Sequence, residues 1–235
     1  MRLGLIVVLL AVLSYPVGLA LGVPGLLPVL NAAPAYTAMV ILLRRGEVRR
    51  AVVVMLVWAA ALAVAGTLTF AVWPQPAGAL ILHGPEYREE MFAWIRTGVG
   101  TEASPRAFIP QHALHLGAFV VLSLLTASAL SITMGAVLMN YMGFYVASLA
   151  RAGAPAWAVV LFGWQPWAIA RVAAFSTLGV VLAQPLLRRI RPGAAPLQAS
   201  RPFVIVAAAL LLVDVALKTL LAPTWGRILR DVLPN

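Results

Sequence analysis

The sequence has no cysteine. This excludes disulfides, thiolate nucleophiles, zinc–sulfur sites and iron–sulfur clusters. Charge is scarce as well: 10% of the 235 residues are charged, where a soluble domain of this length carries about a quarter. Such a chain cannot cover a water-facing surface. No glycine-rich phosphate loop occurs, so nothing points to a nucleotide. No basic stripe interleaved with aromatics occurs either, so no nucleic-acid partner is expected despite a formal charge of +10. Internal repeats and low-complexity runs are missing, as is any polar stretch long enough to form a separate soluble domain.

What is present is hydrocarbon. Hydrophobic residues make up 63% of the chain and the mean hydropathy is +0.97. The bilayer is therefore its main solvent. We expect one integral membrane domain over residues 1–235, an all-α bundle of about seven transmembrane helices. A span needs about 20 mostly apolar residues. Candidate spans cover 3–22, 26–43, 51–73, two within 111–150, 165–187 and 202–221, with a short helix at 156–163. The 40-residue run 111–150 is divided near "SITMG" (131–135), where a tight turn could form.

Orientation follows from the loops. "RRGEVRR" (44–50) and "RRIRPGAAPLQASR" (188–201) hold eight arginines and one acid, so both are expected on the cytoplasmic side of a cell membrane. The loop 74–110 mixes Glu86, Glu89, Glu90 and Glu102 with Arg88, Arg96 and Arg106, and is expected outside. Seven crossings satisfy all three loops, with the N-terminus inside and the C-terminus outside. The first segment, with one basic residue and small residues near Ala20, reads as a retained helix or as a cleaved signal peptide.

Within the outer loop, "GPEYREEMFAWIR" (84–96) places Tyr87, Met91, Trp94 and Ile95 on one apolar helical face. Pro85 and the acids beside it suit a helix N-terminus. This reads as a helix lying on the membrane surface with Trp94 at headgroup level, either a connector or a lid. Residues 97–110 are then a flexible return, and "TWGRILRDVLPN" (224–235) a second interfacial piece.

Ionisable groups inside a bilayer are expensive and face protein or water. Three stand out: Arg171 in the sixth span, and Asp214 and Lys218 in the seventh. Arg171 and Asp214 fall at matching depth, about 9–12 Å below the outer surface at 1.5 Å per residue. An Arg171–Asp214 pair is expected, and Lys218 at i+4 could share the same carboxylate. Such a cluster either fixes helix packing or walls a polar cavity. Asn140, near mid-membrane with Gly135 and Gly143 nearby, suits interhelical hydrogen bonding.

Two of the three histidines lie three apart at the mouth of a span, in "FIPQHALHLGAF" (108–119). His112 and His115 share a helix face. They could chelate a divalent metal if His83 and Glu86 or a neighbouring acid supplied further ligands from the lid. They could equally form a protonatable gate or an interfacial hydrogen-bonding pair. No other cofactor is indicated.

The stretch "LLTASALSITMGAVLMNYMGFYVASL" (124–149) followed by "LFGWQPWAIARVAAFSTLGVVLAQPLL" (161–187) resembles the stage II sporulation protein M family. The shared features are a small-residue hairpin with Asn140 near Gly143, then a helix starting at a proline. Where that family carries His-Gly and Glu after the proline, this chain has "QPWAIAR" (165–171). The resemblance implies an integral-membrane partner or scaffold without catalysis of its own.

Three function classes follow: a non-catalytic membrane subunit or scaffold, a small transporter or channel using the charged cluster, and a metal-assisted enzyme at the outer leaflet. The partners expected are membrane lipid and a membrane protein or a second copy of the chain.

Overall fold

The computed structural model describes residues 2–190 and 200–234. Among these residues there are ten α-helices and no strand: α1 (Arg2–Leu21), α2 (Leu26–Arg44), α3 (Val48–Val72), α4 (Pro74–Leu80), α5 (Gly84–Thr97), α6 (Pro105–Thr126), α7 (Ala129–Arg151), α8 (Ala156–Phe162), α9 (Pro166–Ile190) and α10 (Arg201–Val232). Seven of them, α1, α2, α3, α6, α7, α9 and α10, are long and apolar enough to cross a membrane. The chain is a membrane-embedded helical bundle. Residues 191–199 of the second arginine-rich loop lie outside the described residues.

Alternating crossings give the bundle two unlike ends. The arginine end holds the α2–α3 turn and the facing ends of α9 and α10. The cap end holds α4, α5, α8 and the loop 98–104. α7 runs through the centre, packed along α3 and touching α2, α5, α6 and α9. α9 and α10 form the most extensively packed helix pair. α6 is lightly embedded: only Phe108, Phe119 and Ser123 on it are buried. It packs on α7 and α9 and makes little contact with α10.

The α6–α7 boundary differs from the sequence expectation. The chain turns at Ala127 and Ser128, with φ of 49° and 69°, and "SITMG" stays helical. Neither residue announces a left-handed turn, which costs non-glycine residues steric strain. Hydroxyl chemistry offsets it. The Ser128 N–H donates to the Ser123 carbonyl at 2.9 Å. Ser128 Oγ donates to the Gly179 carbonyl at 2.7 Å, and Ser123 Oγ to Ser131 Oγ at 2.7 Å. The turn is therefore locked against α9.

Two further expectations are corrected. α5 does not rest on lipid: Met91, Trp94 and Ile95 are buried against protein, Trp94 at 2% exposure. Gly226 makes the seat, because a Cβ there would sit 3.2 Å from the Trp94 ring. Arg230 Nε then donates to the Ile95 carbonyl at 2.7 Å, closing the α5 C-terminus. Residues 224–232 are likewise no separate piece but the continuation of α10. Trp225 turns inward, donating Nε1–H to the Phe162 carbonyl at 2.9 Å. An amphipathic face can be covered by lipid or by protein, and its periodicity is the same in both cases.

Candidate functional site: a charged cluster beside a membrane-depth cavity

Arg171 and Asp214 face each other across the α9–α10 pair. Arg171 Nε and Nη2 donate to Asp214 Oδ2 and Oδ1, each at 2.9 Å. This two-pronged geometry matches the guanidinium fork to the carboxylate and is among the stronger protein ion pairs. Asp214 is 1% exposed, and Arg171 keeps 23% of its side chain open. The remaining guanidinium nitrogen, Nη1, makes no hydrogen bond to any described residue.

Lys218 does not share that carboxylate. It is buried and reaches Glu102 in the cap loop, Nζ to Oε2 at 2.8 Å. Its ammonium also lies 4.6 Å from the centre of the Phe108 ring, a cation–π contact. Two cations and two carboxylates thus neutralise each other pairwise, and the second pair ties the loop to α10. Among the residues of the 97–110 return, Glu102 is the sole acid. That was the one available signal for its role.

His112 adds an asymmetry. Its Nδ1 lies 2.9 Å from the Phe108 carbonyl, which can only accept, so Nδ1 carries the hydrogen. Nε2 is buried without a hydrogen-bond partner among the described residues and sits 3.6 Å from Asp214 Oδ2. That separation is too long for a hydrogen bond. With Nδ1 protonated, a neutral ring turns a lone pair towards a carboxylate; a proton on Nε2 would make the contact an ion pair.

Arg171, Glu102 and His112 border a cavity of about 110 Å³ between α3, α6, α7, α9 and the cap. That is room for several waters or a small polar group. Its polar wall includes Arg171, His112, His115, Gln111, Glu102 and Tyr141. The apolar wall comes from Met55, Met139, Met142 and Phe175 among others. Tyr87 of α5 closes it from the cap. Burial, with Glu102 next, pushes the Tyr87 phenol well above its ordinary value, so it stays a neutral hydroxyl. Arg171 is five residues past the start of α9 and His112 seven past the start of α6. At 1.5 Å per residue both lie about 8–10 Å into their helices.

The other polar residues singled out in the sequence lie elsewhere. Asn140 joins a separate network. Its Nδ2 donates to Asn31 Oδ1 at 2.8 Å, and its Oδ1 accepts from Tyr15 Oη at 3.0 Å. Asn31 Nδ2 donates to Ser14 Oγ at 2.6 Å. Trp58 Nε1 donates to the Asn31 carbonyl at 2.8 Å. The network pins α1, α2, α3 and α7 together. His83 and Glu86 pair loosely with each other, at 4.0 Å and well exposed, and His83 packs edge-on against Tyr141. Among the described residues no group of three His, Asp or Glu side chains is placed to hold a metal ion. The one hydrogen bond His112 makes among the described residues is through Nδ1, to the Phe108 carbonyl.

Comparison with family models, curated proteins and solved structures finds no match for this chain. The geometry is therefore the ground for a functional reading.

Proposed function

We propose that the chain is a small membrane carrier whose ligand site is the cap-end cavity, taking a solute with an anionic group. The observation that carries this reading is Arg171: two bonds to Asp214 hold it, its third nitrogen bonds no described residue, and its side chain lines the cavity. A guanidinium nitrogen left open to a cavity keeps its donors for a water or a ligand, whereas burying it unpaired would forfeit stabilisation. In this reading the arginine end faces the cytoplasm and the cap faces outward, as the positive-inside rule favours. The Glu102–Lys218 pair is then the outer latch.

The test is uptake by proteoliposomes of a panel of small carboxylates and phosphates, free and lipid-linked. Saturable uptake that Asp214→Asn abolishes, in protein that still folds by tryptophan fluorescence, is the expected result. Absence of uptake and of binding across the whole panel overturns the reading.

A second reading, a non-catalytic subunit of a membrane complex, draws on a different feature. Between α1 and α2, on their outward side, runs an apolar groove of about 540 Å³ lined by Leu3, Ile6, Leu10, Leu13, Leu30 and Ile41. A helix of another membrane protein or of a second copy would fill it. The resemblance to the stage II sporulation protein M family belongs with this reading. Stoichiometric co-purification of a partner, with the charged cluster dispensable, would favour it over transport.

A further inference from the structure

The central cavity has a neighbour. A groove of about 160 Å³ lies between α6, α9 and α10, lined by Ile109, Ala113, Leu116, Leu211 and Val215. His112, His115, Arg171 and Phe175 border both spaces. The partition between groove and cavity thus includes these four side chains. Side chains change rotamer in nanoseconds, whereas helices move far more slowly.

The two routes into the cavity are unlike. Towards the cap, Tyr87 and the loop carrying Glu102 lie across it, and Glu102 is bonded to a buried lysine. Towards the side, α6 and α10 barely touch. Their outward faces are apolar and exposed, Leu114 at 71% and Leu212 at 73%, which is how a helix meets lipid. The groove therefore opens where hydrocarbon chains lie, and its inner end carries a guanidinium with a free donor. Asp214 also lines it, but both of its oxygens are taken by Arg171. An apolar slot ending in an unengaged cationic donor complements one kind of molecule: an amphiphile with acyl chains and an anionic head.

We propose that the groove between α6 and α10 is a lateral doorway for a phosphate-headed bilayer lipid. Its chains lie along Ile109, Ala113, Leu116, Leu211 and Val215, and its phosphate meets Arg171 Nη1 and His115. This rests on the carrier reading and names its substrate class.

The test uses the full chain in maltoside micelles, which carry no phosphate of their own. These are doped either with phosphatidic acid or with diacylglycerol bearing the same diazirine acyl chain. After illumination, labelled peptides are mapped. The expected result is labelling concentrated on Ile109, Ala113, Leu116, Leu211 and Val215. Phosphatidic acid should label about tenfold more than diacylglycerol, the worth of one hydrogen bond to a charged group. Ala113→Trp fills the groove from an exposed position and should abolish that labelling, while Leu114→Trp, on the lipid-facing side, should not. Equal labelling by the two lipids, or labelling spread evenly to Leu114 and Leu212, overturns the proposal. Saturable binding of inorganic phosphate without groove labelling would sink the lipid inference alone. Failure of both would sink the lipid inference, and the carrier reading would fall with it only if the carboxylates of the uptake panel failed as well.

Discussion

Around Asn140, side chains of α1, α2 and α7 exchange hydrogen bonds until both amides have used oxygen and nitrogen alike. Around Asp214, charges of α9, α10 and the cap loop neutralise one another beside α6, yet among the described residues Arg171 Nη1 has no bond and His112 Nε2 no partner. Both clusters are buried in the same bundle and both bridge three or more elements. The first is neutral and closed. The second is charged, borders two open spaces, and is tied to the cap by an ion pair. Hydrogen bonds between membrane helices are worth roughly 0.6 kcal/mol on average, and a satisfied amide network uses them for position. Charges are a far more costly way to hold helices together. The charged side is where the carrier reading places its ligand.

The largest expected effect comes from breaking the charged side. Asp214→Ala leaves Arg171 buried with no counter-charge and should cost about 3–5 kcal/mol. Denaturation followed by tryptophan fluorescence in detergent reads this directly. The double variant Arg171→Met with Asp214→Leu should recover most of the loss, because an apolar pair of similar volume has no charge to desolvate. Recovery of stability without recovery of uptake would separate the two roles of the pair. No recovery would mean that the pair sets packing geometry instead.

Next in size is the latch. Glu102→Ala removes the partner of Lys218, which is 1% exposed. We expect a loss of about 2 kcal/mol, softened by the Phe108 ring and by water entering from the cap. Hydrogen exchange in residues 98–104 should accelerate while that in α3 and α7 stays unchanged. Uniform acceleration would show that the loop is no separate unit.

Asn140→Leu tests the closed side. It strands Tyr15 Oη and Asn31 Oδ1, although Tyr15 Oη keeps a 3.2 Å bond to the Leu62 carbonyl. The expected cost is about 1 kcal/mol, with solute or lipid binding unaffected. A binding defect as large as that of Asp214→Asn would erase the distinction between the two clusters.

Much of this was legible in one dimension, and the rest was not for identifiable reasons. Seven apolar runs gave seven helices because hydropathy over about 20 residues is a local property. Arg171 and Asp214 could be paired because depth in a span is also local, counted from its ends. Lys218 misled because its true partner sits in a loop, where rise per residue says nothing about position. Asn140 was visible as a polar residue, but Tyr15 and Asn31 were not visible as its partners: helix adjacency is not written in any one helix. The turn at Ala127 and Ser128 was hidden because its stabilising acceptor, the Gly179 carbonyl, lies 51 residues away.

The smallest effect sharpens the comparison most. Gly135 lies in α7 and lines the cavity, and nothing stands within 4 Å of where its Cβ would be. Gly135→Ala therefore meets no clash. In a helix interior, alanine should stabilise by about 0.5 kcal/mol through the smaller backbone entropy loss. The same methyl takes volume from a cavity of only about 110 Å³. The expected variant is as stable as the parent or more so, and binds its ligand more weakly. Gly66→Ala is the counterpart on the closed side: its Cβ would come within 2.7 Å of the Tyr15 hydroxyl and should lower stability with binding untouched. If Gly135→Ala left binding unchanged, the cavity would be spare room beside an ion pair. If it weakened binding while strengthening the fold, no account based on packing alone would explain it, and the space beside Arg171 would be the site.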